Sequence, residues 1–519
     1  MTMNISLPKS AFRNVALIPE SVLSGFMCDV ALELKRRYGC HITMFARKSD
    51  SIEFFRERNK DNRFDTIVDA GHLTLKHARS AADLSIETAR AVAWEQRIGT
   101  PFNTLAMGDR HLGRGYVLGG WNHPRSRQSE QSNYSDLLRF YSSNLDFWYR
   151  EFEERNISLV LGGNKEVCCI ARLLDIPFRN FAIARFGSKY NWVHDEYSSQ
   201  PEIEFVYGRL KNKPVEPVTL GGSYLTAEMD KPAWLARSTV PNLLTNCVRR
   251  IATHAYWHLR GFEKAKGYYL GSELRYLYRL FRELRKMTRK RMPRLSDLGV
   301  QKFIFFPLAT EPESTLTTFS PEYFFQHASI TSLVRDMPAD MFLVVKEAIY
   351  GVGRRPKEML EQIAALKPVV VMDIRESGLE VIRRASVVAT ITGTAGFEAA
   401  VMGIPVITFW QRCPYAFLPL VRVVKTVSDV RDALAYFLSG EFNRERARQE
   451  GARYYRALEA VSVDMGSFYH RDRTAYSAET VSSACDRLVG IFAEQTEMAE
   501  SAAARDADSR TAGAATPAP

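Results

Sequence analysis

Short, almost wholly apolar runs recur along the chain, and each is followed by a longer stretch with helical periodicity. NVALIPE (14–20), HITMFAR (41–47), DTIVDAG (65–71), ISLVLGG (157–163) and FRNFAIAR (178–185) are predicted strands in the first half. Their apolar residues do not alternate with polar ones, as expected of strands covered on both faces of a parallel sheet. Helical patterns over 21–37 and 75–97, and between 163 and LLDIP, fill the gaps. The same rhythm returns in QKFIFFPL (301–308), MFLVVKE (341–347), PVVVMD (368–373), SVVATIT (386–392) and IPVITFW (404–410). Alternation of this kind predicts an α/β protein of two doubly wound, Rossmann-like domains.

The predicted boundaries are a first domain over 1–225, a helical insertion over 226–298 and a second domain over 299–470. A closing helix follows over 471–499, with Ser477 as a candidate N-cap. The tail 500–519 has nothing large to bury and is expected to be disordered.

Charge singles out the insertion. Residues 249–294 hold fourteen Lys/Arg against three Glu, a net +11 that equals the formal charge of the whole chain. The rest is therefore near neutral. YYLGSELRYLYRLFRELRKMTRKRMPR interleaves aromatics and leucines with arginines, the pattern of a basic amphipathic helix, ended by Pro293. An anionic membrane surface is the expected partner, with a merely solvated helix face as the alternative. Nucleic acid has less support, because no recognised binding module accompanies the basic stretch.

Seven cysteines without CxxC spacing fit a reducing compartment. The N-terminal MTMNISLPKSAFRN lacks the apolar core of a signal peptide, and no apolar run is long enough to span a bilayer. The expected location is the cytoplasm, at the inner face of the membrane. There is no GxxxxGK[ST], HExxH or GxSxG motif, so NTPase, zincin and serine-hydrolase chemistry find no support. His254 and His258 share a helix face without a third ligand in suitable spacing. No metal or other cofactor is expected.

TITGTAGFEAAVMGIPVITF (390–409) carries the most specific chemistry. A strand ends at Thr392, Gly393, Thr394 and Gly396 form a turn, and a helix is expected from about Ala395 with Glu398 in its first turn. A glycine turn brings backbone N–H groups close to a phosphate, and the helix N-terminus adds partial positive charge. Glu398 is a candidate acceptor for ribose hydroxyls. Close packing of an α/β unit asks for the same glycines and small residues, so spacing alone does not choose between the two.

TGTAGFEAAVMGIPVITF resembles the donor-site segment of the capsule polysaccharide biosynthesis family. FIFFPLATEPESTLTTFSPEYF (303–324), FLVVKEAIYGVGRRP (342–356), MGDRHLGRGY (107–116) and IPFRNFAIARFGSKYNWVHDE are similar to further segments of that family. The resemblance touches both halves but not the basic helices or the tail. It implies a GT-B-type pair of Rossmann-like domains facing across a cleft. It also implies a nucleotide-sugar donor and a polysaccharide or lipid-linked glycan acceptor. Gly393, Thr394, Gly396 and Glu398 would hold the donor, with Lys346 and Glu347 at the edge of its site. Where the family reads KEHP, this chain has KEAI, so Ala348 and Ile349 replace a histidine and a proline.

Transfer onto a hydroxyl needs a general base, for which Asp109, His111 and Glu311 are the candidates. Arg110, Arg114, Arg185 and Lys189 are candidates for an acidic or phosphate-bearing acceptor. Gly162–Gly163–Asn164 is a further candidate anion or sugar contact. For each, a structural role in a turn or at a strand end is the competing explanation. The expected function is a metal-independent glycosyltransferase of capsule or exopolysaccharide synthesis. A sugar-nucleotide epimerase on the same fold and a non-catalytic glycan-binding or assembly protein are the alternatives.

Overall fold

The computed structural model describes residues 12–513 except 20–22, 48–54, 57–58, 60–61, 74, 76–82, 109–132, 212, 221–225, 260–269, 311–313, 357 and 467–474. The strands, in chain order, are β1 (Asn14–Ile18), β2 (His41–Ala46), β3 (Thr66–Asp69), β4 (Leu159–Gly162), β5 (Phe178–Ile183), β6 (Lys189–Val193), β7 (Lys302–Pro307), β8 (Met341–Lys346), β9 (Val369–Met372), β10 (Val387–Thr390), β11 (Val406–Thr408), β12 (Val421–Val423) and β13 (Val463–Asp464). The chain divides into two compact units. One holds 1–72, 146–213 and 456–519, and the other holds 73–145 and 214–455.

In the first unit the sheet order is β13-β6-β5-β4-β1-β2-β3. From β3 to β5 all pairings are parallel, whereas β6 and β13 add antiparallel pairings at one edge. The strands are buried on both faces, as their apolar runs predict. Phe26, Trp192, Leu159 and Leu161 belong to one continuous core with Ala484, Leu488 and Ile491 of the C-terminal helix. That helix is held to the Ser24–Tyr38 helix by Arg37 Nη1 on Asp486 at 2.5 Å, and to β6 by the Trp192 indole donating to the Ala484 carbonyl at 2.9 Å. It runs from Ala478 to Gly513, well past the expected end at 499. The segment AESAAARDADSRTAG lacks large apolar side chains, but it is rich in alanine, the best helix former.

In the second unit the sheet order is β12-β11-β10-β7-β8-β9, all parallel. Counted within the unit this is 6-5-4-1-2-3, the Rossmann order, with its switch point between the first and fourth strands, β7 and β10. The same point lies between β1 and β4 in the first unit. Two Rossmann-like units are therefore present.

Two stretches lie elsewhere than the sequence boundaries place them. Residues 73–145, expected in the first domain, pack with the second unit. The chain re-enters the first unit at about 456, before β13, and not at 471.

Candidate functional site

The switch point of the second unit brings together the ends of β10, β7 and β8. Beyond β10 the chain turns at Gly393 into the helix Thr394–Val401. The turn is held from below: Gly393 N–H donates to the buried Thr390 Oγ1 at 3.0 Å, and Phe409 N–H donates to the Thr390 carbonyl at 3.0 Å. Gly393 is the N-cap, and no side chain caps the helix. By helix geometry the first-turn amides of Thr394 and Ala395 then point beyond the strand ends, where an anion is favoured.

Gly396 has a packing reason of its own. A Cβ there would lie 2.5 Å from the Tyr415 hydroxyl and 2.6 Å from Thr390 Cγ2. Gly451 of the Arg444–Val461 helix approaches the Ala400 carbonyl so closely that a Cβ on it would clash there, so close helix packing accounts for Gly451 as well. Both explanations of this segment thus hold, at different residues. The close approach accounts for Gly396, and the uncapped N-terminus remains as the feature suited to a phosphate.

Glu398 differs from its expected placement. The helix opens at Thr394, its first turn holds no acidic residue, and Glu398 is only 3% exposed in the turn after it. Its carboxylate is part of the interior beneath the turn.

Lys346 ends β8, and its carbonyl accepts from Leu308 N–H at 2.9 Å, so the β7 and β8 ends lie side by side. Glu347, expected at the edge of the donor site, is held in a structural contact. Its carboxylate is buried and takes Arg355 Nη2 at 2.6 Å and Nε at 2.8 Å, with Ala348 N–H on Oε1 at 2.8 Å. Arg355 Nη2 also donates to the Ala309 carbonyl at 2.7 Å. One buried ion pair therefore closes the KEAIYGVGRR loop and fastens it to the loop after β7. The buried Gln326 amide bonds both the N–H and the carbonyl of Ala309, at 2.8 and 3.1 Å. Ala348 and Ile349 belong to this closed loop, and Ile349 packs into the core formed with Leu280 and Leu284.

Asp109, Arg110, His111, Arg114 and Glu311 lie outside the described residues. Their approach is described, however. The helix Phe102–Gly108 leads into Asp109, and the Gly108 carbonyl accepts from the Thr317 and Thr318 hydroxyls at 3.4 and 3.3 Å. Gly108 therefore lies against the helix Ser314–Phe319 of the second unit.

In the first unit, Arg185 follows β5 in a left-handed conformation (φ 67°), rare for a residue with a side chain. Lys189 pairs with Asp464 across the β6–β13 junction at 3.0 Å, so its ammonium serves the sheet. At the switch point there, Gly162 and Gly163 have positive φ, and a Cβ on Gly162 would sit 2.4 Å from the Ile18 carbonyl. The Asn164 side chain caps its own helix through Val167 N–H at 3.4 Å. These residues are accounted for by the strand-to-helix turn. His194 Nε2 pairs with the buried Glu202 at 2.6 Å, and Asp195 accepts from Tyr197 and Ser199 within its own turn.

Sequence reasoning missed Thr390 and Gln326, and it offered Arg354 or Arg355 as a stand-in for the histidine that KEAI lacks, not as the partner of Glu347. A threonine ending an otherwise Val/Ala strand was the available signal for Thr390. Gln326 carries no local signal, because its partner is seventeen residues away.

No protein-family model and no curated protein matches the sequence. Solved structures similar in fold include the β-Kdo 2,4-transferase of KpsC from Thermosulfurimonas dismutans, at 14% identity over 58% of this chain and 80% of that one, TM-score 0.27. They include a UDP-N-acetylglucosamine 2-epimerase described as putative, from Listeria monocytogenes, at 10% identity over 85% and 90%, TM-score 0.25. The N-terminal domain of trehalose-6-phosphate phosphatase from Candida albicans matches at 10% identity over 94% and 98%, TM-score 0.33. Likenesses this distant assign no reaction to the chain.

Proposed function

We propose that the chain is a glycosyltransferase that takes a sugar from a nucleotide-sugar donor and adds it to a surface-polysaccharide or glycolipid acceptor. One observation carries the reading. The segment that resembles the capsule family's donor site falls at the switch point of an all-parallel 3-2-1-4-5-6 sheet, with an uncapped helix N-terminus there. That is the position where open α/β sheets take phosphorylated ligands. The donor pyrophosphate would sit on the Thr394 and Ala395 amides, with Lys346 two strands away at the same sheet edge as a counter-charge.

In the transfer, an acceptor hydroxyl attacks the anomeric carbon and gives its proton to a base, for which Asp109, His111 and Glu311 remain the candidates. The bond from that carbon to the phosphate oxygen breaks, and the electron pair leaves with the nucleotide. The helix amides stabilise that charge without a bound metal. Arg110, Arg114 and Arg185 would bind the acceptor.

The test is product analysis with nucleotide sugars in the presence and absence of a glycan acceptor. Transfer that requires the acceptor, lowered about 10²- to 10⁴-fold by Asp109→Asn or His111→Gln, supports the reading. Conversion of the donor sugar without any acceptor identifies an epimerase instead. No turnover of any nucleotide sugar identifies a binding protein.

A further inference from the structure

The two basic helices of the second unit are not alike. Leu270–Arg289 has the amphipathic pattern that the sequence makes most conspicuous, but its apolar side is used up. Leu280, Leu284 and Met287 are buried with Ile349, Val352 and Ile374. Three of its cations are also engaged: Arg279 donates to the Arg355 carbonyl, Lys286 pairs with Glu361, and Arg282 pairs with Glu283. The side that holds Leu280, Leu284 and Met287 is covered by the protein itself.

The helix Val240–Leu259 leaves an apolar side open. It has no fully buried residue. Its half-buried side is mixed: Leu243, Cys247 and Trp257 lie there with Asn242, Asn246 and His254, Asn246 bonds Asn242, and His254 Nε2 meets Glu273 Oε2 at 3.2 Å. Its outward side is apolar. Leu244, Val248 and Leu259 are 60%, 65% and 83% exposed, and Val240 and Ile251 are exposed with them. At 3.6 residues per turn these positions fall within an arc of about 100°. A continuous exposed apolar stripe of this kind marks an interaction surface.

The charge around the stripe selects its occupant. The twenty residues of the helix include no Asp or Glu, and Arg249 and Arg250 are exposed beside the stripe. Two copies packed helix to helix would set arginines against arginines with no carboxylate on either helix to answer them. An anionic bilayer answers both features, taking the apolar stripe into its interface and the cations at its headgroups. Among the described residues no helix is long and apolar enough to cross a membrane.

We propose that the Val240–Leu259 helix lies on an anionic lipid surface with the stripe of Leu244, Val248, Ile251 and Leu259 turned into it. The attachment is peripheral and separate from the sheet edge that would hold a donor. It does not depend on which reaction the chain performs, because binding alone reads it out.

Flotation of the full chain with phosphatidylcholine vesicles, with and without phosphatidylglycerol, tests it. The chain should float with phosphatidylglycerol vesicles, less as salt rises, and far less with phosphatidylcholine alone. Leu244→Glu/Val248→Glu should weaken binding more than about tenfold. Arg249→Gln and Arg250→Gln should each weaken it roughly fivefold. The substituted side chains are exposed, so circular dichroism and melting should match the parent. Parent protein that stays at the bottom of the gradient, or a double variant that floats like the parent, overturns the proposal. A parent dimer that the double variant dissociates overturns it in favour of a second copy as occupant.

Discussion

Replacing Glu347 by alanine isolates the role of the buried ion pair. Its side chain is 0% exposed and that of Arg355 6%, and both carboxylate oxygens bond the guanidinium. Removing the carboxylate leaves the buried Arg355 charge without its counter-ion and Ala348 N–H without its acceptor. Breaking a buried pair in this way costs about 3–5 kcal/mol. In a unit of this size that corresponds to a fall in melting temperature on the order of 10 °C. Chemical denaturation of parent, Glu347→Ala, Arg355→Met and the double Glu347→Leu/Arg355→Met variant measures it. The double variant should recover most of the loss, because it buries no unpaired charge, and the cycle should show strong coupling. A single-variant cost below about 1 kcal/mol would mean that the pair is solvated. Glu347 would then be available to a ligand, and the reassignment would be wrong.

Further outcomes follow from the same structure. The thiols of Cys28, Cys169 and Cys485 are pushed up to about 12 and that of Cys40 to about 11, chiefly by burial. Native protein at pH 8 should therefore react slowly with Ellman's reagent at these four thiols, and at once when unfolded, as thiol titration before and after denaturant would show. Burial opposes ionisation of Asp464, but the Ser188 hydroxyl, the Gly466 N–H and Lys189 outweigh it and hold the carboxyl below the usual aspartate range. A depressed carboxyl stabilises the fold above its unfolded value of about 3.9 and loses that contribution as pH falls through the folded value. Asp464→Asn should therefore flatten the acid limb of a stability–pH curve. Gly396→Val should destabilise the second unit by about 1–3 kcal/mol through the clash with Tyr415 and Thr390, as denaturant titration would show.

Ten of the thirteen strands among the described residues were legible because each is a compact apolar run of a sheet buried on both faces, whereas β6, β12 and β13, all at or next to a sheet edge, were not. The glycine turn at Gly393 was legible for the same reason, as punctuation between one such run and a helix. What escaped was whatever depends on distant partners. The sequence reads Glu347 as a residue at the edge of a donor site and does not show that Arg355 is its partner. Residues 73–145 follow the first strands in order but pack with the second unit, and β13 returns the chain to a sheet begun some 450 residues earlier, at β1. The strong amphipathic signal of Leu270–Arg289 is answered inside the protein, where Leu280, Leu284 and Met287 are buried. Periodicity shows that an apolar face exists, and only packing shows whether the protein itself covers it.

The central claim is that the N-terminus of the Thr394–Val401 helix holds the phosphates of a nucleotide, and Thr394→Pro tests it most directly. Proline is tolerated at the first helical position, and Gly393 already has the extended ψ of 159° that a following proline requires, so the fold should persist while one amide donor is lost. Thermal unfolding is followed for parent and variant against CMP, UDP, GDP and their sugars. A ligand at about a hundred times its Kd adds roughly 2.7 kcal/mol, a shift of several degrees. The account predicts such a shift for one nucleotide class in the parent and its loss in the variant, with the ligand-free melting temperature unchanged. An equal shift in both proteins, or none with any nucleotide, would contradict it.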